Sequence, residues 1–139
     1  MSLYVFDTDT LTLFGRLHPA VVRNVMLHLA DDIRVTAVTV EEQVGGWYST
    51  IRAARTPNQI EDAYTRFTDS IRALASWDAL PFTAAAVQRY QDLLRRRLNV
   101  GGNDLRIAAI AIEFGAIVVT RNLRDFRRVP GVLSEDWSV

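Results

Sequence analysis

The sequence predicts an α/β protein with a small parallel β-sheet flanked by helices on both faces. Three observations support this prediction: short apolar runs that end abruptly, longer stretches with apolar residues at three- and four-residue spacing, and an alternation of the two along the chain. The chain has 139 residues, which is an ordinary size for one domain. We therefore expect a single domain over residues 1–139.

The first half of the chain contains two predicted strands, at residues 3–6 and 33–38. Both runs are short and apolar, as is typical of buried parallel strands. Asp9 follows the first strand and is positioned to cap a helix. After the second strand, Thr39 and Glu42 have the spacing of a capping box, which predicts that a helix starts there.

The second half of the chain contains two more predicted strands and three predicted helices. Thr56 followed by Pro57 is a typical helix start, and apolar residues then continue along one face to residue 75. The remaining elements, in order, are a short edge strand at 80–82, a helix from its cap Thr83 to Arg97, a helix from its cap Asn103 to its stop at Gly115, and a buried strand at 116–119.

Composition excludes several classes of protein. All sixteen basic residues are arginine, so no Schiff-base or P-loop lysine is present, and the absence of cysteine excludes disulfides and thiolate chemistry. No apolar run approaches the roughly 20 residues that cross a bilayer, and the N-terminus does not resemble a signal peptide. We expect a soluble, cytoplasmic protein with no membrane partner.

Four carboxylates, those of Asp7, Glu42, Asp104 and Asp125, are predicted to lie at one edge of the sheet. Each has a local explanation: the end of a strand for Asp7, a capping box for Glu42, a helix macrodipole for Asp104 and a neighbouring arginine for Asp125. None of these explains why acids recur at the same edge. Oxygen ligands without histidine or cysteine suit Mg²⁺ or Mn²⁺, so the pattern favours a metal site for phosphate chemistry.

The residues that several other enzyme chemistries require are missing from the sequence. Gly101 and Gly102 interrupt a helix rather than form a dinucleotide-binding loop, and His18 and His28 do not have metal-ligand spacing. No Gly-x-Ser-x-Gly is present. The Asp-x-Asp after the first strand resembles haloacid dehalogenase phosphatases, but these have a later lysine, occasionally an arginine, and a threonine where Leu11 stands. The missing lysine also argues against a receiver domain.

Four ordered stretches resemble the motifs of PIN-domain nucleases. Residues 4–9 are similar to the opening strand followed by Asp-Thr-Asn, with Asp9 where asparagine is common. Residues 40–46 resemble the Glu-Leu-x-x-Gly stretch, which puts the family glutamate on Glu42. Two further stretches complete the four, Asn-Asp-x-x-Ile-Ala-Ala at 103–109 and Thr-x-Asn-x-x-Asp-Phe at 120–126. In addition, a tail at 128–137 is similar to the VapC toxin branch.

The resemblance implies a PIN-like three-layer fold and a Mg²⁺-dependent endoribonuclease, with Mn²⁺ as an alternative ion. It also implies the toxin half of a type II toxin–antitoxin pair, with a cognate VapB-type antitoxin, a homodimer, and structured RNA as substrate, the anticodon loop of initiator tRNA being one candidate. By the same resemblance, Asp7 and Asp104 are the primary metal ligands, while Glu42 and Asp125 complete the acidic ring through water or a second ion.

Family members differ over whether the last acid lies at the position of Asn122 or of Asp125, and we favour Asp125. The resemblance then implies auxiliary roles for three residues. Asn122 would hold phosphate or hydrogen-bond a metal ligand, Thr120 would orient that ligand through its hydroxyl, and Asp9 would stand beside them.

Charge is segregated along the chain although it sums to zero. Residues 95–128 hold eight arginines against three acids, a net charge of +5, and the rest of the chain holds eight against thirteen, a net charge of −5. This distribution favours RNA binding, although a solvated helix end explains any single arginine equally well. The RNA-binding candidates are Arg95, Arg96, Arg97, Arg121 and Arg124.

Two other functions stay open at the level of sequence. A non-catalytic PIN-like scaffold that binds RNA or a protein would not need all four acids, whereas every acidic position is filled here. A DNA-directed nuclease is a weaker alternative.

Overall fold

The computed structural model describes residues 1–139 and contains one five-stranded sheet in which every pairing is parallel. The strand order is β3-β2-β1-β4-β5, so β1 lies at the centre, and only the connection from β3 to β4 joins strands that are not neighbours in the sheet. The strands are β1 (Leu3–Phe6), β2 (Asp32–Thr36), β3 (Ala79–Leu80), β4 (Ile117–Val119) and β5 (Leu133–Glu135).

Seven helices connect and follow these strands. The longest is the helix predicted from Thr56 and Pro57, where a complete capping box is formed between Thr56 and Gln59. The helices are α1 (Thr8–Gly15), α2 (Pro19–Leu27), α3 (Ala37–Ala53), α4 (Pro57–Ala75), α5 (Ala84–Arg95), α6 (Gly102–Phe114) and α7 (Leu123–Phe126).

The sheet buries both of its faces. Val5 of β1 faces a core formed mainly with α5 and α6, whereas its neighbours Tyr4 and Phe6 face a second core that contains Leu11 of α1 and Val21 of α2. This alternation follows from the two-residue period of a strand. Helices therefore cover both faces, and the predicted α/β class with a three-layer arrangement is confirmed. No helix is both long and apolar enough to cross a membrane.

Three predicted helix caps are wrong by a few residues. Asp7 rather than Asp9 caps α1, since its carboxylate accepts a hydrogen bond from the Thr10 amide at 2.8 Å. Thr36 rather than Thr39 caps α3 because β2 ends there, so no capping box involves Glu42. At α6 the cap is Gly101, which leaves the side chain of Asn103 free for another partner.

The start of α2 was not predicted: His18 is its cap and Pro19 its first helical residue. The four-residue α7 and the three-residue β5 also went unpredicted. An edge strand is present as predicted, but the predicted bounds 80–82 are wrong: β3 ends at Leu80, directly before Pro81.

Candidate active site

A polar cleft of about 410 Å³ opens at the carboxyl ends of β1 and β4, next to the start of α6. None of its lining residues is hydrophobic. Three of the four predicted catalytic acids line it, and the fourth, Asp125, lies one hydrogen bond behind it. The seven lining residues are Asp7, Thr8, Asp9, Glu42, Asp104, Arg121 and Asn122.

Asp7 is the most deeply placed of these acids, with 7% of its surface exposed. It directly follows β1 and caps α1, which fixes its side chain between the sheet and the helix. Burial raises the pKa of Asp7, and hydrogen bonds from Thr120 and Thr10 oppose the rise only in part. The fold thus holds a carboxylate in a place where its charge is costly.

Asp104 lies in the first turn of α6. Burial raises its pKa, and the nearby charges of Asp7, Glu42 and Asp125 raise it further, against a hydrogen bond from Asn122. Asp104 does lie in the first turn of α6, where the macrodipole favours an acid, but burial and like charges are what raise its pKa. All four predicted acids are close enough to interact electrostatically at this point.

Glu42 projects from the second turn of α3 and is held by two residues from distant parts of the chain. The Thr8 hydroxyl donates to its Oε1 at 2.6 Å, and the Asn103 side-chain amide donates to its Oε2 at 3.2 Å. Asn103 in turn accepts from Arg106 at 2.8 Å. Glu42 is thus oriented toward the cleft and does not serve a helix cap.

Sequence reasoning assigned no role in the site to Thr8 or Asn103. Each lies next to a predicted metal ligand, Thr8 after Asp7 and Asn103 before Asp104. That adjacency was the available signal. It was outweighed for Asn103 by the ordinary preference of asparagine for helix caps.

Asn122 bridges two carboxylates from the loop after β4. Its side-chain amide donates to Asp125 at 2.9 Å and to Asp104 at 3.3 Å, and its backbone amide donates to the Thr120 hydroxyl at 2.9 Å. Asp125 also accepts from Arg128 at 3.1 Å. Asn122 therefore lines the cleft, while Asp125 supports it from behind and is already paired with a cation.

Of the five arginines predicted to bind RNA, only Arg121 lines the cleft. It donates two hydrogen bonds to Asp9, at 2.6 and 2.8 Å, and these raise the pKa of its guanidinium. Arg95 pairs with Asp92 instead, and Arg96 lines a separate surface cavity. Arg97 and Arg124 are exposed outside the cleft.

The donor set fits a hard divalent cation. Asp7, Glu42 and Asp104 form no ion pair, and the donors that hold them are hydroxyls and amides. No group of three or more histidine, cysteine, aspartate or glutamate side chains is placed to hold a metal ion. This arrangement suits Mg²⁺, which is usually bound through one or two carboxylates and keeps several of its waters.

The largest cavity, of about 650 Å³, is a different feature. It lies between α1, α3 and α4, is lined by Phe14, Trp47 and Trp77 among others, and contains none of the four predicted catalytic acids. Cavity size alone therefore does not identify the candidate active site, because the predicted catalytic acids come together at the smaller cleft.

Comparison with known proteins agrees with the motifs. The PIN domain family matches residues 4–132. The tRNA(fMet)-specific endonuclease VapC of Shigella flexneri is 30% identical over 142 residues, covering 99% of this chain and 100% of the relative. Its counterpart in Salmonella typhimurium is 28% identical over 140 residues, covering 99% of each chain.

Solved structures show the same fold. VapBC2 from Rickettsia felis, bound to a DNA fragment from its promoter, has a TM-score of 0.75 at 23% identity and covers 97% of this chain and 98% of the other. DNA-bound VapBC from Salmonella typhimurium has a TM-score of 0.75 at 22% identity, with 99% of each chain covered. The resemblance noted in the sequence is confirmed: the chain belongs to the PIN-domain family, in its VapC branch.

Proposed function

We propose that this protein is a divalent-metal-dependent endoribonuclease, the toxin of a VapBC-type toxin–antitoxin pair, which hydrolyses phosphodiester bonds in structured RNA. The observation that carries the proposal is the set of Asp7, Glu42 and Asp104, three carboxylates that share one cleft without any ion pair. Such a set costs stability unless a cation joins it. A phosphodiester bond is the substrate on which a hard cation in a polar cleft acts directly.

Asp7 and Asp104 would hold Mg²⁺, with Mn²⁺ as an alternative, and Glu42 and Asp125 would act through water or on a second ion. The bound ion supplies an activated water and a polarised phosphate. Glu42, whose orientation is fixed by Thr8 and Asn103, accepts the proton of the attacking water. Hydrolysis in this way leaves a 3′-hydroxyl and a 5′-phosphate.

Asn122 and Thr120 have supporting roles in this proposal. Asn122 keeps Asp104 and Asp125 at a fixed separation, since its amide donates to both. Thr120 is fully buried, and its hydroxyl both stabilises the charged form of Asp7 and accepts from the backbone of Asn122. These partners orient the ligands without neutralising them.

The relatives suggest the substrate and the partner. Two VapC relatives aligned over nearly the whole chain are named as tRNA(fMet)-specific endonucleases, so initiator tRNA is the first substrate to test. The similar solved structures are VapBC complexes, which supports a VapB-type antitoxin as partner. A cytoplasmic homodimer remains part of the proposal.

Incubation of the purified protein with an initiator tRNA transcript in Mg²⁺ tests the function. We expect cleavage in the anticodon loop, fragments with a 5′-phosphate, and no cleavage in EDTA. The matched control is Asp69→Asn, which removes a carboxylate that is exposed on α4 and pairs only with Arg72. Undiminished cleavage in EDTA, or fragments with a 2′,3′-cyclic phosphate, would overturn the metal mechanism.

A further inference from the structure

A bidentate ion pair stands at the mouth of the acidic cleft. The Arg121 Nε donates to Asp9 Oδ2 at 2.6 Å, and one terminal nitrogen donates to Oδ1 at 2.8 Å. The pair joins the first turn of α1 to the residue after Thr120, across 112 positions of sequence. Its side chains are 52% and 45% exposed, and an exposed pair contributes little to stability, so its position calls for another explanation.

The geometry leaves half of the guanidinium available. A guanidinium has five N–H donors in a planar fork, and Asp9 accepts from the edge formed by Nε and one terminal nitrogen. The second edge, formed by the two terminal nitrogens, has no second protein group bound to it, and Arg121 is one of the residues that line the cleft. That edge has the shape that binds a phosphate with two parallel hydrogen bonds.

Asp9 also keeps this cation away from the inner acids. Arg121 is the only cation among the seven residues that line the cleft, and it lies within electrostatic reach of Asp7. Without a partner at the rim, a flexible arginine would be drawn to Asp7 or Asp104, whose charges have no counterion. It would then occupy the place of the metal.

We propose that Asp9 is a positioning residue that holds Arg121 at the rim of the cleft, so that the free edge of Arg121 binds an RNA phosphate next to the cleaved bond. This inference rests on the proposed ribonuclease function. It gives Asp9 and Arg121, two exposed residues of opposite charge, a single shared role in substrate binding.

Binding of a fluorescein-labelled initiator tRNA transcript in EDTA, where no cleavage occurs, tests the role of Arg121. Arg121→Gln should weaken binding about tenfold, the usual cost of a charge-assisted bidentate contact. It should also reduce the slope of log affinity against log salt by about 0.7 to 0.9, as one lost phosphate contact does. Arg121→Lys retains the charge without the fork and should be intermediate; affinity equal to that of the wild type would overturn the bidentate contact.

The variant Asp9→Asn distinguishes a positioning effect of Asp9 on tRNA binding from the effect of its charge alone. Removal of an acid makes the protein more positive, so a purely electrostatic effect would strengthen tRNA binding. Our proposal predicts the opposite: weaker binding by several-fold, because Arg121 is no longer held. The control is Asp32→Asn, which removes an exposed carboxylate that pairs with Arg34 at 2.8 Å at the start of β2 and leaves Arg34 paired with Asp78; it should leave tRNA affinity unchanged or slightly higher.

Metal titration gives an independent readout on the same variants. Asp9→Asn should weaken Mn²⁺ binding several-fold, since the released arginine competes with the ion, and adding Arg121→Gln should restore it. Tighter tRNA binding by Asp9→Asn, or a double variant whose effects simply add, would overturn the positioning role. Failure of the ribonuclease proposal is distinguishable, because it appears as wild-type protein that binds tRNA but does not cleave it in Mg²⁺.

Discussion

Two groups of carboxylates lie at the same edge of the sheet and differ in their partners. Asp7, Glu42 and Asp104 accept hydrogen bonds only from hydroxyls and amides. Asp9, which lines the same cleft, and Asp125, which accepts from Asn122 behind it, are each paired with an arginine. Neutral donors fix a carboxylate and leave its charge for a cation, whereas an arginine neutralises it. The comparison separates acids that would bind metal from acids that position other side chains.

The largest expected effect is at the unpaired acids. Asp7→Asn and Asp104→Asn should each lower the rate of tRNA cleavage by more than about a hundredfold, beyond what the loss of an outer partner costs. Asparagine can still cap α1 at position 7, so the fold should persist. Single-turnover cleavage in Mg²⁺ measures this, and circular dichroism confirms folding. A folded variant with wild-type rates would place the metal elsewhere.

A smaller loss is expected at the paired acid Asp125. Asp125→Asn removes a charge already compensated by Arg128 and retains an oxygen that can accept from Asn122. We expect a loss of about tenfold in cleavage rate, at the low end for outer partners. The same single-turnover assay decides the matter: a loss as large as that of Asp104→Asn would make Asp125 a direct ligand.

The hydrogen-bond donors to Glu42 should have effects of similar or smaller size. Thr8→Val and Asn103→Leu each remove one donor and leave the Glu42 carboxylate in place. Cleavage rate should fall about tenfold in each. Thr68→Val is a matched control, because its hydroxyl bonds only to the backbone of Tyr64 on an exposed part of α4. Equal rates in all three variants would mean that Glu42 needs no positioning.

The smallest effect is on stability, and it has the opposite sign. Because the folded pKa of Asp104 is raised above the ordinary 3.8, its ionised form destabilises the metal-free fold, and stability falls as pH rises from 3.8 through the raised value. Asp104→Asn should therefore raise the melting temperature in EDTA at neutral pH by a few degrees, and the gain should vanish at pH 3. A variant less stable than the wild type at neutral pH would contradict the raised pKa.

Structural features that depend on neighbouring residues in the sequence were predictable, whereas contacts between residues far apart in the sequence were not. Leu3–Phe6 and the capping box at Thr56 were found because strands and caps depend on neighbours in sequence. Misplaced caps such as Asp9 and Asn103 arose where several suitable residues stand within a few positions. Both of these residues instead bond to partners 61 to 112 positions away.

The candidate site divides in the same way. The four acids were identified because each follows a predicted strand or starts a predicted helix. Their electrostatic environment was not, since burial and neutral donors are properties of the folded chain. The local explanations offered for Asp104 and Glu42, a helix macrodipole and a capping box, name only neighbours in sequence, whereas distant residues surround both carboxylates in the fold.

Calorimetric titration with Mn²⁺ tests the central claim most directly, because it measures the cation for which the unpaired acids are held. We predict that wild-type protein binds Mn²⁺ at millimolar or lower concentrations, that Asp7→Asn and Asp104→Asn lose this binding, and that Asp125→Asn retains most of it. Absence of binding by the wild type, or equal binding by Asp104→Asn, would contradict the account.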